Sequence, residues 1–254
     1  MDREKWKDSI NEKRIPAYPC PHCNPGTLYL LRGSLTSKET PGSKAAQNNE
    51  SWGPDWIEEL FVCVLECSNR SCHGLVHVTG LGFYEPTYQG DERVLQPQFL
   101  LPAPPIIKIP SDCPKVIGQH LRVAFRLFWP DPAASGNRLR SAIEALLTEL
   151  KVPRYTLPPV GKKKRRRLPL GVTKRIERLE AKMPVVAERL HAIKWIGHEA
   201  SHTGNLEKSD VLDAFEILES VLDDLYTKAD DRIESIVKQI NRGRKPRSKK
   251  KKRK

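Results

Sequence analysis

The sequence has no long apolar run. Nowhere in its 254 residues do about 20 apolar side chains follow one another, the length that a membrane-spanning helix needs. The opening stretch, Met1–Asn11, lacks the apolar segment of a secretory signal. No internal repeat of solenoid length is present either. We therefore expect a chain that stays in the cytoplasm and folds as ordinary domains.

Acidic residues are missing from two runs that carry the basicity of the chain. The formal net charge is +13, and Lys162–Arg167 and Arg242–Lys254 contribute six and ten Lys or Arg, so that the remainder carries −3. Such runs are typical of arms that bind a polyanion, or of solubilising segments. A membrane surface is disfavoured, because no apolar amphipathic face adjoins either run.

Aromatic residues are also absent from both runs, so base stacking has no platform there. We expect salt-sensitive binding of DNA or RNA with little sequence preference. The predicted nucleic-acid-binding residues are Lys162, Lys163, Lys164, Arg165, Arg166, Arg167, Arg244, Lys245, Arg247, Lys249, Lys250, Lys251, Lys252, Arg253 and Lys254.

Four of the six cysteines form two closely spaced pairs, Cys20-x2-Cys23 and Cys67-x4-Cys72. In a reducing compartment such pairs indicate metal more often than disulfides, and two tight turns can present four thiolates to one Zn²⁺. Four thiolates close the coordination shell, so the predicted zinc site is structural. Two alternatives stay open: His22 or His73 replaces a thiolate, or the cysteines are unrelated buried residues.

The two remaining cysteines do not join this set. Cys63 alternates with Phe61 and Leu65, which predicts a small buried side chain in a strand. Cys113 has no partner in the sequence.

The residue pattern predicts an α+β chain in four parts. Residues 1–85 form a zinc-ribbon-like antiparallel β module behind an N-terminal helix over Asp2–Lys13, with a polar loop over Ser34–Gly53. Residues 86–110 are rich in proline and predict a connecting strap rather than a strand. Residues 111–241 have helical periodicity and predict a four-helix bundle, and residues 242–254 form a disordered basic tail.

Within the bundle, four helical stretches are expected. The first is capped by Ser111 or Asp112 and buries a face that includes Val116, and the second covers about Ala133–Leu150, where Arg140 and Glu144 are spaced to pair. The third begins near Thr173, restarts at Pro184 and reaches about Ala200. The last is capped by Ser209 and extends toward Ile240.

One segment resembles a known family. It runs Lys194-Trp195-Ile196-Gly197-His198-Glu199-Ala200-Ser201-His202 before a Thr203-Gly204-Asn205 turn and the last helix. With the proline-rich lead-in, the Asn137–Arg140 run and Glu144, it is similar to the bacterial domain-of-unknown-function family 4145. Zinc knuckles like those at Cys20 and Cys67 are familiar in front of that domain.

The resemblance implies a bundle similar to the HEPN superfamily, found in restriction, toxin–antitoxin and anti-phage systems. Catalytic members are metal-independent ribonucleases that use an Arg and a His, which would place Lys194, His198 and His202 in the site, near Arg140 and Glu144. Here Lys194 stands where Arg is expected, and it lacks the planar fork that grips phosphate.

Three functions therefore stay open. The residues favour a zinc-containing binding module for nucleic acid. The resemblance adds a ribonuclease acting through Lys194, His198 and His202. Alternatively, the two histidines only form hydrogen bonds with polar groups at the end of the helix, and Trp195 and Ile196 belong to the core. A protein partner or homodimer could use the last helix, whose apolar stripe the bundle core also explains.

Overall fold

The computed structural model describes residues 1–6, 9–10, 15–23, 25–88, 90–156, 167–202, 206–227 and 241–242, with only the backbone of 200–202. An antiparallel sheet comes first and helices follow, which confirms the predicted order. The strands are β1 (Leu28–Leu30), β2 (Thr36–Glu39), β3 (Glu58–Cys67), β4 (Leu75–Thr87), β5 (Gly90–Leu101), β6 (Tyr155–Thr156) and β7 (Leu168–Pro169). The helices are α1 (Pro41–Ala46), α2 (Lys115–Leu127), α3 (Pro132–Glu149), α4 (Val172–Glu180), α5 (Pro184–His202) and α6 (Lys208–Tyr226).

Strand β3 is the centre of the first sheet. It pairs with β4 along one side and with β1 and β2 along the other, and β5 completes the order β1-β3-β4-β5. Alternate residues of β3 are buried, including Phe61, Cys63 and Leu65, as a strand with one face on the core requires. The prediction that Cys63 is a buried strand residue is confirmed.

The predicted strap is wrong over 90–101, because these residues form β5 and pair with β4 in a long hairpin. Proline is tolerated there because β5 lies at the sheet edge. Pro97 faces Gly80 next to a register shift, where its missing N–H costs little. Only the segment after Leu101 remains a connection.

Two other expectations near the N-terminus differ from the structure. The predicted loop over Ser34–Gly53 contains β2 and α1, the latter capped by the Thr40 hydroxyl. The predicted helix over Asp2–Lys13 is reduced, among the described residues, to a 3₁₀ turn at Arg3–Trp6. Ile10 instead bridges Leu95 of β5 by two backbone hydrogen bonds.

The helical periodicity is largely confirmed: within the described part of 111–241, five helices, α2–α6, pack together. α2 buries Ile117, Leu121 and Ala124, but Val116, expected on the same face, is exposed. The backbone positions its N-cap at Pro114, not at Ser111 or Asp112. The third stretch divides at Pro184 into α4 and α5 as predicted.

The last helix, α6, begins one residue before the predicted cap, because Glu207 and Asp210 form a reciprocal capping box. Its apolar stripe, from Val211 to Leu222, is buried in the core. The predicted extension from 228 to Ile240 lies outside the described residues.

An aromatic cluster joins the N-terminal segment to the helices. Trp6 and Tyr18 pack against Phe128 and Trp129 at the end of α2, with ring centroids 5.4–6.4 Å apart. Arg3 adds ion pairs to α6. The two parts of the chain therefore share one hydrophobic core.

Across the described residues, no helix combines the length and apolar content needed to cross a membrane.

Candidate metal centre

The two cysteine pairs come together because strand pairing brings their loops side by side. Cys20 and Cys23 precede β1, and Cys67 and Cys72 lie at the end of β3 and in the turn to β4. β1 pairs antiparallel with the last three residues of β3, so Leu28 faces Cys67. Backbone hydrogen bonds then close each loop, one from Cys20 N–H to Gly26 and one from Cys67 N–H to Gly74.

The four sulfur atoms form a compact group. All lie within 4.8 Å of one another; the Cys23 and Cys67 sulfurs are 3.5 Å apart and those of Cys20 and Cys72 are 3.9 Å apart. A tetrahedral Zn²⁺ with Zn–S bonds of about 2.3 Å requires sulfur–sulfur edges of about 3.8 Å. A disulfide needs about 2.05 Å, and all four cysteines are free thiols. The donor set and its spacing therefore fit a zinc ion.

Backbone N–H groups point at the sulfurs from both loops. His22 N–H donates to Cys20 Sγ and Asn69 N–H to Cys67 Sγ, each at 3.4 Å, and the Asn69 side-chain amide approaches Cys23 Sγ at 3.6 Å. Such donors stabilise negative charge on sulfur and orient the ligands. The two loops thus repeat one arrangement on opposite sides of the group.

Two glycines allow this close approach. A Cβ on Gly26 would lie 2.3 Å from Cys67 Sγ, and a Cβ on Gly74 would lie 2.4 Å from the His22 ring. Real Cβ atoms do not approach other atoms so closely, so glycine is required at Gly26 unless the sulfur moves. Neither glycine was identified from the sequence, although each follows a cysteine by two or three residues.

The thiols do not ionise alike. Burial raises the pKa of Cys67 to about 12 and also raises that of Cys72. Burial opposes ionisation of Cys23 too, but hydrogen bonds, led by the Gly26 N–H, lower the pKa of Cys23 to about 7. Four thiols this close cannot all ionise without a cation, and a divalent cation would displace their protons.

The two neighbouring histidines each place a ring nitrogen near an oxygen atom rather than near the sulfur group. His22 Nε2 lies 3.2 Å from the Leu75 carbonyl oxygen, and His73 Nδ1 lies 3.4 Å from Glu66. Burial raises the pKa of Cys63 to about 11, as expected of a core thiol. The geometry therefore favours the four-cysteine set over the alternatives with histidine.

Comparison with known families agrees with the division into two parts. Residues 8–98 match the family described as Domain of unknown function (DUF8608), and residues 122–249, half of the chain, match Domain of unknown function (DUF4145). The chain belongs to the DUF4145 family. No curated protein and no solved structure matches it.

Three residues of the DUF4145 region were predicted as a catalytic group. Lys194 is buried in α5, with its Nζ 3.2 Å from the Trp195 ring centroid, and the His198 ring lies 6.0 Å from the same indole. Burial, with the nearby Arg140 charge, lowers the pKa of Lys194. The His202 side chain lies outside the described residues. Trp195, expected in the core, is 60% exposed, which corrects that prediction.

A small hairpin flanks the basic run of the DUF4145 region. β6 and β7 pair antiparallel, Tyr155 with Pro169 and Thr156 with Leu168, and the chain between them carries Lys162–Arg167. Of that run only Arg167 is described, and it is exposed. The predicted pair of Arg140 and Glu144 is confirmed at 3.9 Å. The basic tail from 243 to 254 lies outside the described residues.

Arg175 of α4 is a structural residue that the sequence reasoning missed. Its guanidinium donates to the Glu144 carbonyl at 3.2 Å, the Thr148 hydroxyl at 3.0 Å and the Val152 carbonyl at 3.2 Å. These bonds tie α4 to the C-terminal half of α3 and to the segment that follows it. An arginine in a basic helix gives no sequence signal of such a role.

Proposed function

We propose that this protein is a zinc-organised module that binds nucleic acid through a basic region of its helical part. Cys20, Cys23, Cys67 and Cys72 would hold one structural Zn²⁺ in a zinc-ribbon-like module. When bound, the ion supplies a crosslink between the two loops. The four thiolates leave no open position for a reacting water, which supports a structural role.

The nucleic-acid part rests on one observation, the charge of residues 151–178. This stretch contains eleven Lys or Arg and a single acidic residue, Glu177. The described cations Lys151, Arg154, Arg167, Lys174 and Arg178 are all exposed around the β6–β7 hairpin. A surface this basic attracts phosphates and releases their counterions.

We expect nucleic-acid affinity to fall steeply with salt. Neutralising Lys162, Lys163 and Lys164 to Gln should lower the steepness of log affinity against log salt by about three for duplex DNA, since each phosphate contact contributes about 0.9. Fluorescence anisotropy between 50 and 200 mM salt, with DNA and with RNA, measures this. A chain truncated before Arg242 tests the tail in the same way.

A matched control removes three exposed cations elsewhere. Arg32, Lys38 and Lys44 lie at or near β2 and α1, on the sheet side of the molecule. Their change to Gln removes the same charge and should leave the slope unchanged. Equal effects of both triple variants, or a flat response to salt in the wild type, would contradict binding at the 151–178 region.

A ribonuclease is the second proposal, and the burial of Lys194 favours it. A buried ammonium beside Arg140 is the kind of perturbed group found at functional sites. We expect cleavage of mixed RNA by the zinc-loaded protein in buffer without added divalent cations, lost in Lys194→Ala and in His202→Ala. Intact RNA after incubation at high concentrations of the wild-type protein would refute it.

A further inference from the structure

A small pocket lies where α3, the start of α4 and the β6–β7 hairpin meet. Its volume is about 180 Å³, and its lining includes Arg140, Arg154, Arg175, Glu144 and Tyr155. Pockets for drug-sized ligands usually measure about 300–1,000 Å³. This one is suited to a small group such as a phosphate.

The charge of the lining is positive. Three guanidinium groups from three separate segments meet one carboxylate, and that carboxylate, Glu144, is 3.9 Å from Arg140 Nε. The lining residues therefore carry a net charge of +2. A terminal phosphate carries about −1.5 to −2 at pH 7, whereas a phosphate within a strand carries −1.

One buried donor in the pocket lining, Arg175 Nε, has no acceptor among the described residues. Arg175 is only 4% exposed, and while its two terminal nitrogens bond to α3 and to Val152, its Nε has no partner within the described part of the chain. An unpaired buried donor destabilises the fold. An anion in the pocket would relieve that destabilisation.

The first turn of α4 adds backbone donors. Its N-cap is Gly171, which lines the pocket and has no side chain to accept from the first N–H groups of the helix. The first N–H groups of a helix have no partner within the helix, and they favour a bound anion. The Tyr155 ring, about half exposed, stands at the same pocket and could stack on a terminal base.

We propose that this pocket binds the terminal phosphate of a nucleic-acid strand. The inference rests on the nucleic-acid binding proposed above and specifies which part of the strand is recognised. The phosphate enters beside Arg175 and the α4 N-terminus, Arg154 closes the rim, and Tyr155 contacts the last base.

The test compares three single-stranded oligonucleotides of one sequence, with a 5′ phosphate, a 3′ phosphate or hydroxyls at both ends, by anisotropy at 50 mM salt. One phosphorylated form should bind about tenfold more tightly than the hydroxyl form. Arg154→Gln should abolish this difference. Arg154 is exposed, so the change should leave the fold intact.

Arg178→Gln is the matched control, because Arg178 is an exposed cation of α4 in the same basic region that does not line the pocket. It should weaken all three oligonucleotides alike and keep the difference between them. Adenosine monophosphate should compete at lower concentration than inorganic phosphate, because only the nucleotide reaches Tyr155.

The outcomes separate the two proposals. Equal binding of the three oligonucleotides would overturn recognition of the end and leave backbone binding standing. No binding of any oligonucleotide at low salt would overturn both. Competition by inorganic phosphate as strong as by the nucleotide would show a free-anion site and overturn the strand end as its ligand.

Discussion

Cys67→Ser is expected to remove the bound zinc and to unfold the sheet around it. Cys67 ends β3, where that strand pairs with β1, and its sulfur is 3.5 Å from that of Cys23, so the substitution removes a ligand at the junction of the two strands. The apparent free energy of structural zinc binding is part of the folding free energy. We expect the thermal midpoint to fall by more than about 10 °C, with hydrogen exchange accelerated in β1 and β3.

Cys63→Ala provides the control for this prediction. Cys63 is buried in the same strand, four residues before Cys67, but its sulfur does not belong to the group of four. The variant should retain one zinc per chain and lose about 1 kcal/mol of stability. A chelator added to the wild type should reproduce the Cys67→Ser profile. Equal zinc content in both variants would contradict the assignment of ligands.

Gly26→Ala should lower zinc affinity by about ten- to a hundredfold, although it changes no ligand. The added methyl would lie 2.3 Å from Cys67 Sγ and 3.1 Å from Cys23 Sγ, so at least one sulfur must leave its tetrahedral position. Competition with a chromophoric zinc chelator measures the affinity.

Substitutions at two further glycines, Gly74 and Gly42, should reduce zinc affinity less or not at all. A Cβ at Gly74 would meet the His22 ring at 2.4 Å and a ligand sulfur, that of Cys72, only at 3.2 Å, so Gly74→Ala should cause a smaller loss of zinc affinity. Gly42→Ala in α1 meets no atom within 4 Å and should leave the affinity unchanged. An unchanged affinity in Gly26→Ala would mean that the sulfurs are not held as described.

The ligand set could be predicted because metal ligation depends on a spacing that the sequence displays directly. Two pairs, Cys20-x2-Cys23 and Cys67-x4-Cys72, are enough to place four sulfurs together once any strand pairing aligns their loops. The glycines behind the sulfurs could not be predicted, because a close approach is a property of two segments far apart in the chain.

The errors in the fold arise where tertiary context overrides local preference. Pro97 argues against a strand, yet β5 lies at an edge, where a missing donor is tolerated. Trp195 argues for the core, yet it stays exposed and covers the ammonium of Lys194. The proposed phosphate pocket depends on Arg140, Arg154 and Arg175, which come together only where α4 and the β6–β7 hairpin meet α3.

Metal analysis of freshly purified, untagged protein tests the central claim most directly. If the four sulfurs hold a structural ion, elemental analysis should find one zinc per chain, and Cys67→Ser should lose it while Cys63→Ala keeps it. The absence of stoichiometric metal from the wild-type chain would contradict the account of how the two loops are joined.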